Sequence, residues 1–321
     1  MSTQIALFDL GPDLAELRER RESLMRASKA PNTNKAYAHA VKQFDRWCAN
    51  AGRSALPASE ETVSLFVTWA ISRWRLATVR LMLAAITVQH ELQAFASPVT
   101  PTIRALVKNA ARVKREKQGG KAALMPAQLR RLCRGLDTTE TIDIRDRAMI
   151  LLQFACGWRS AEVVSLDLAN VRFTSAGLAV TLGASKTDQD GSEGRYVGLP
   201  KGQHELTCPV RALRAWVNVR GSEEGPLFCR INFPSGRVFA HRRLHPKVVR
   251  ARLQLALEKI GEPANAYGSH SLRSGMVTTC IERGESELAI IQRTGHKNLE
   301  TLKKYVRPAQ AFRRDLLAGV L

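Results

Sequence analysis

Between residues 33 and 51 the side chains of Tyr37, Ala40, Val41, Phe44 and Trp47 recur at intervals of three and four, the spacing that lines one face of an α-helix. A second stripe, Val63, Phe66, Ala70 and Trp74, follows Pro57. There Ser59 is placed to cap a helix, and Glu60 and Glu61 to meet the positive end of its dipole. The segments "ATVRLMLAAITVQHELQA" and "PTIRALVKNAARVKREK", the latter opening at Pro101, predict two more helices. The first part of the chain therefore reads as an all-helical unit of roughly 100 residues closed by short loops.

The pattern then changes. "RVKREKQGGKAALMP" is basic, holds Gly119 and Gly120 and leads into a new helix at Pro126. It predicts a linker, as a frayed helix end or as a basic strap over a phosphate backbone. "TIDIRDRAMILLQFACGW" reads as a buried helix ending near Gly157. In "VRFTSAGLAVTLGASKTDQDGSEGRYVGLP" three short extended runs are separated by "SAG" and "KTDQDGSEG", which predicts a small antiparallel sheet. Helical patterning returns through Arg307 and into "AQAFRRDLLAGVL", where Phe312, Leu316, Leu317 and Val320 form one stripe. The expected organisation is an extension over 1–30, a helical unit over 31–115, a linker over 116–125 and a mixed α+β domain over 126–321.

Charge narrows the class of partner. In 321 residues, 49 Lys and Arg stand against 29 Asp and Glu, a net charge of +20. Such an excess points to a polyanion, nucleic acid before a membrane surface, with a merely solvated basic face as the plain alternative. The most apolar run, "AMILLQFACG", is about half of a membrane-spanning length, and "MSTQIALFDLGPDL" lacks the features of a targeting segment. The six cysteines are scattered, without CxxC or histidine at ligand spacing, so neither a zinc site nor a disulfide framework is expected. They read as reduced thiols of a cytoplasmic protein, mostly core filler.

The second domain carries the chemistry. Breaking a phosphodiester without a metal requires a nucleophile, cations on the nonbridging oxygens, and an acid for the leaving oxygen. Arginine suits the oxygens because its planar fork stays charged; lysine and histidine suit proton transfer. "GWRSAE" places Arg159 after a helix-ending glycine with Glu162 three residues on. "SKTDQDG" puts Lys186 in the second hairpin connection, "SHSLRSG" supplies His270 and Arg273, "TGHKN" supplies His296, and "LETLKKYVRP" supplies Tyr305. His270 and Arg273 share one face if "SHSLRSG" opens a helix. Asn298 is a candidate cap for a following helix, which would set His296 beside exposed amides and Tyr305 two turns along.

In this order the residues resemble the tyrosine recombinases, the group of phage integrases, Xer proteins and Cre. That family's sequence of motifs is arginine, hairpin lysine, His-x-x-Arg, a Gly-His turn and a nucleophilic tyrosine. "NTNKAYAHAVKQFDRWC" and "LPASEETV" extend the resemblance into the helical unit, so it covers almost the whole chain. Two positions depart from the pattern: Thr294 stands where an apolar residue usually precedes Gly-His, and Ser274 follows HxxR where larger polar residues are common.

The resemblance implies a mostly α fold with a small antiparallel β-sheet: an all-helical N-terminal core-binding (SAM-like) domain and an α+β tyrosine-recombinase catalytic domain. It implies that Tyr305 attacks the scissile phosphate to form a 3′-phosphotyrosyl bond and release a 5′-hydroxyl. Arg159 and Arg273 would hold the nonbridging oxygens, Lys186 would protonate the leaving oxygen, His270 would assist deprotonation of Tyr305, and His296 would hydrogen-bond the phosphate. Glu162 would orient the site. No cofactor, metal or ATP is implied, because the covalent bond conserves the energy of the one broken. The implied partners are double-stranded DNA with inverted half-sites, a second copy on one site and a tetramer in synapsis, with no membrane involved. In relatives the last helix often docks into a neighbouring subunit, and the alternatives here are that it does so, finishes its own core or frays. The setting implied is a bacterial or phage-encoded, cytoplasmic, nucleoid-associated enzyme acting in integration, excision or resolution of a mobile element. Two other readings stay open: DNA relaxation by a type IB topoisomerase chemistry, and a non-catalytic DNA-binding regulator.

Overall fold

The computed structural model of the chain describes residues 13–27, 31–114, 120–183, 194–296 and 302. The chain divides into two compact units, Met1–Gln118 and Gly119–Leu321.

The first unit is helical: α1 (Leu14–Ala27), α2 (Pro31–Asn50), α3 (Glu60–Arg73), α4 (Leu76–Leu92) and α5 (Pro101–Lys114). The stripes found in the sequence face inward. Phe44 of α2 meets Phe66 of α3 edge-to-face at 4.9 Å, and Val63, Val67, Ala70, Val79 and Ile86 are fully buried around them. Ser59 caps α3 by accepting the Thr62 N–H at 3.1 Å. His90, also fully buried, is a structural histidine: Nε2 accepts the Ala58 N–H at 2.9 Å, so Nδ1 carries the hydrogen that reaches the Ile86 carbonyl at 2.8 Å.

The second unit contains α6 (Pro126–Arg134), α7 (Thr141–Cys156), α8 (Ser160–Ser165), α9 (Pro209–Arg220), α10 (Pro246–Glu258), α11 (Ser269–Arg283) and α12 (Glu287–Thr294). Strands β1 (Val171–Phe173), β2 (Gly177–Leu182) and β3 (Arg195–Pro200) form the expected antiparallel sheet in the order β1-β2-β3, with Val180 opposite both Val171 and Val197. The sequence pattern did not disclose β4 (Cys229–Ile231) and β5 (Val238–Arg243), a second antiparallel pair inside a region read as helical. β4 is short and β5 ends in "HRR", so neither shows sustained alternation of apolar and polar residues.

Helix α7 is the axis of this unit: Ala148, Met149, Ile150, Leu152 and Cys156 on it are fully buried. Five of the six cysteines are buried, as core filler should be. Residues 120–125 run beside α11. The Leu124 N–H donates to the Ser271 carbonyl at 2.9 Å, and the Leu124 side chain is fully buried. That approach requires Gly275, because a Cβ there would lie 1.8 Å from the Leu124 carbonyl oxygen. No described helix is long and apolar enough to cross a membrane.

Candidate active site

The site lies where four elements of the second unit end or begin. After α7, Gly157 adopts φ 64°, the left-handed conformation that stops a helix and that a side chain disfavours. The chain then dips to the fully buried Trp158, whose Nε1–H donates to the Arg293 carbonyl at 2.9 Å, and rises to Arg159, the residue capping α8. Glu162 stands at the third position of α8 and closes back on this turn. Its carboxylate accepts the Arg159 backbone N–H at 2.7 Å and Arg159 Nη1 at 2.8 Å. Buried Gln153, one turn before the end of α7, ties the same loop to the next element: the two hydrogens of its amide nitrogen are shared among the Trp158 carbonyl, the Ser160 hydroxyl and the Ser269 carbonyl, at 3.0 to 3.2 Å.

The expectation that "SHSLRSG" opens a helix is met by α11, which starts at Ser269. His270 and Arg273 stand on its first two turns. Arg273 is only 1% exposed, and its Nη1 donates to the carbonyls of Gly157 and Thr294, both at 2.7 Å. A fully withdrawn guanidinium is thus held by the open carbonyl ends of α7 and α12. Gly295, at φ 66°, ends α12 and delivers His296 beside them.

Both positions that depart from the family pattern serve this geometry. Thr294 is fully buried. Its hydroxyl donates to the Ile290 carbonyl at 2.6 Å and lies 2.6 Å from His296 Nδ1. The hydroxyl has one hydrogen, so Nδ1 must be the donor to Oγ1 and Nε2 carries the lone pair. The Ser274 hydroxyl donates to the His270 carbonyl at 3.0 Å, so a polar atom on this buried helix face is satisfied locally.

One cation that the sequence reading missed belongs to the same cluster. Arg195, the first residue of β3, donates from Nη2 to Glu162 Oε1 at 2.7 Å and from Nη1 to the Thr294 carbonyl at 2.8 Å. Nothing in its sequence neighbourhood marks it, since an arginine at a strand start is unremarkable in a chain of this charge.

Electrostatically the site is one carboxylate among three guanidiniums and two imidazoles. Burial acts first on Glu162 and would raise its carboxyl. The Arg159 N–H, the charge and hydrogen bond of Arg195, and the charge of Arg159 outweigh burial and hold the group ionised below its usual value. His296 is pushed down to about 4, by burial first, then by Arg273 and Arg159. His270 keeps a solvent-facing edge, yet the protein around its ring, then Arg273 and Arg159, lower it as well. Both imidazoles are therefore neutral at pH 7. An anion brought here would be met by fixed positive charge and would draw both imidazoles toward protonation.

The structure thus gathers Arg159, Glu162, His270, Arg273 and His296 of the expected set. Lys186 and Tyr305 lie outside the described residues, as do Asn298 and the terminal stripe from Phe312 to Val320.

Residues 122–311, more than half of the chain, match the family model of the phage integrase family. An integrase/recombinase xerD homolog from Selenomonas ruminantium is 30% identical over 296 residues, covering 90% of this chain and 85% of that protein. Among solved structures, the Tn1549 transposon integrase in complex with transposon right end DNA covers 95% of this chain and 99% of its own at 12% identity, with a TM-score of 0.64. A lambda integrase tetramer bound to a Holliday junction covers 93% of this chain and 78% of its own at 14% identity, with a TM-score of 0.62. The chain belongs to the phage integrase family, the tyrosine recombinases. It is an enzyme of site-specific DNA recombination.

Proposed function

We propose that this enzyme cleaves and rejoins DNA strands through a covalent 3′-phosphotyrosyl intermediate on Tyr305. The tyrosine oxygen bonds to phosphorus, the bond to the 5′-oxygen breaks, and that oxygen leaves as a hydroxyl after taking a proton from Lys186. Arg159 and Arg273 bind the nonbridging oxygens. Neutral His270 accepts the proton of Tyr305, and His296 donates to the phosphate once the anion has raised its pKa. Glu162 orients Arg159. Attack by the 5′-hydroxyl of a partner strand reverses the step and completes the exchange.

The observation that carries this reading is the convergence of Arg159, Glu162, His270, Arg273 and His296 at the ends of α7 and α12 and the starts of α8 and α11. Residues up to 137 positions apart in the chain meet with fixed, positively biased charge, as stabilising a pentavalent phosphorane demands. Further along the same reading, two copies bind inverted half-sites and two such dimers synapse as a tetramer passing through a Holliday junction, the assembly in which lambda integrase has been solved. The terminal stripe from Phe312 to Val320 docks into the neighbouring subunit, and the biological role is movement or resolution of a mobile element.

Tyr305→Phe tests the chemistry. The variant is expected to bind DNA as the native chain does and to form no protein–DNA adduct stable on a denaturing gel. An adduct formed by the variant would overturn the assignment of the nucleophile.

A further inference from the structure

We infer that Arg195 is a positioning residue of the active site, joining the Arg159–Glu162 loop to the Thr294–His296 turn through one guanidinium and leaving the charge of Arg159 available to a phosphate. The inference deepens the reading above and rests on it.

Three observations support it. First, the two ends of the Arg195 fork serve two segments: Nη2 holds Glu162 Oε1 at 2.7 Å, and Nη1 holds the Thr294 carbonyl at 2.8 Å. A lysine ammonium presents no such fork. Second, the surroundings are shaped to the guanidinium. It lies 5.6 Å from the centre of the Trp158 ring, and a Cβ on Gly295 would come within 2.3 Å of its Nη1. Third, Glu162 Oε1 is shared by two cations that differ in access to water. The Arg195 side chain is 16% exposed and that of Arg159 35%. One carboxylate facing one arginine would leave a neutral pair. With Arg195 compensating Glu162 from inside, the outer cation keeps net charge on the side a substrate reaches.

The proposal has a pH consequence. The charged groups facing the Glu162 carboxylate are Arg159 and Arg195; those facing His296 are Arg273, Arg159, His270 and Glu162. Glu162 acts in its deprotonated form, whereas His296 is neutral until the anion arrives and then acts as a donor. Removing Arg195 takes a cation and a hydrogen bond from Glu162, so its pKa rises. The less compensated carboxylate in turn raises His296. The rise in Glu162 moves the acid limb of activity to higher pH, and the rise in His296 is read separately as its titration midpoint.

The test uses the full chain, with Arg195→Gln, Arg195→Lys, Glu162→Gln and the Arg195→Gln/Glu162→Gln pair. The probe is a pool of random-sequence duplexes carrying 5′-bridging phosphorothiolates, from which the native chain selects its substrate by covalent trapping. Cleavage of that duplex against pH, its non-covalent binding, and the imidazole NMR titration of His296 are measured. For Arg195→Gln we expect binding within about threefold of native, cleavage slower by about tenfold or more, an acid limb at higher pH, and a His296 midpoint above the native value. Arg195→Lys should keep the native acid limb and recover part of the rate. The double variant should be no slower than the slower single one, since residues acting through each other are not additive. Native cleavage with an unmoved acid limb in Arg195→Gln, or effects of Arg195→Gln and Glu162→Gln that multiply, would overturn the proposal. A native chain that traps no duplex at all sinks the recombination chemistry instead. The His296 titration in DNA-free Arg195→Gln then decides, an unchanged midpoint counting against Arg195.

Discussion

Thr294 shows how much one side chain can hold in this site. Its carbonyl takes two guanidiniums and its hydroxyl fixes the tautomer of His296. Valine fills the same volume without the hydroxyl. Thr294→Val is therefore expected to cost only about 1 kcal/mol of stability, to leave the two arginine contacts in place, and to release the Nδ1–H tautomer. Imidazole 15N shifts of His296 at neutral pH would then report a mixture of tautomers where the native chain shows one. An unchanged single tautomer would disprove the hydroxyl's role. At this scale legibility in the sequence was uneven. Arg159, His270 and Arg273 stand out because their order along the chain resembles the family's motifs, and a helix-stopping glycine and a spacing of three agree with that placement. Thr294 was visible only as a departure from a family pattern, and Arg195 not at all, since its importance comes from neighbours distant in the chain.

At the level of elements, the starts and stops were read from local chemistry. Ser59 caps α3, Pro101 and Pro126 begin α5 and α6, and Gly157 ends α7. The pair β4 and β5 escaped because so few of its residues alternate. What joins the elements was likewise invisible: Gly275 lies inside an α-helix, where glycine ordinarily weakens the fold, yet it lets residues 120–125 lie against α11. Gly275→Ala raises intrinsic helix propensity and is nonetheless expected to destabilise the second unit by about 2 kcal/mol or more through overpacking against the Leu124 carbonyl. Because α11 carries His270 and Arg273, DNA cleavage should fall with it. Thermal unfolding with a Tm equal to or above native would contradict this packing.

For the molecule as a whole, charge is the property most directly written in composition. A chain of +20 in a DNA-recombining family is expected to draw most of its affinity from phosphate contacts and counterion release. DNA binding measured by fluorescence anisotropy should weaken by ~1,000-fold between 50 and 200 mM salt, with a linear log–log slope. A flat dependence would mean that recognition rests on something other than the backbone. Helical periodicity, caps, net charge and the order of the motifs are local or additive quantities, so the sequence by itself determined the helical first unit, the three-stranded sheet and the candidate chemistry. Which cation shares Glu162 was decided only by tertiary structure. Arg195 reaches across 33 residues to Glu162 and across 99 to Thr294, and no pattern along the chain encodes a contact that exists only after α7, α8, β3 and α12 have packed.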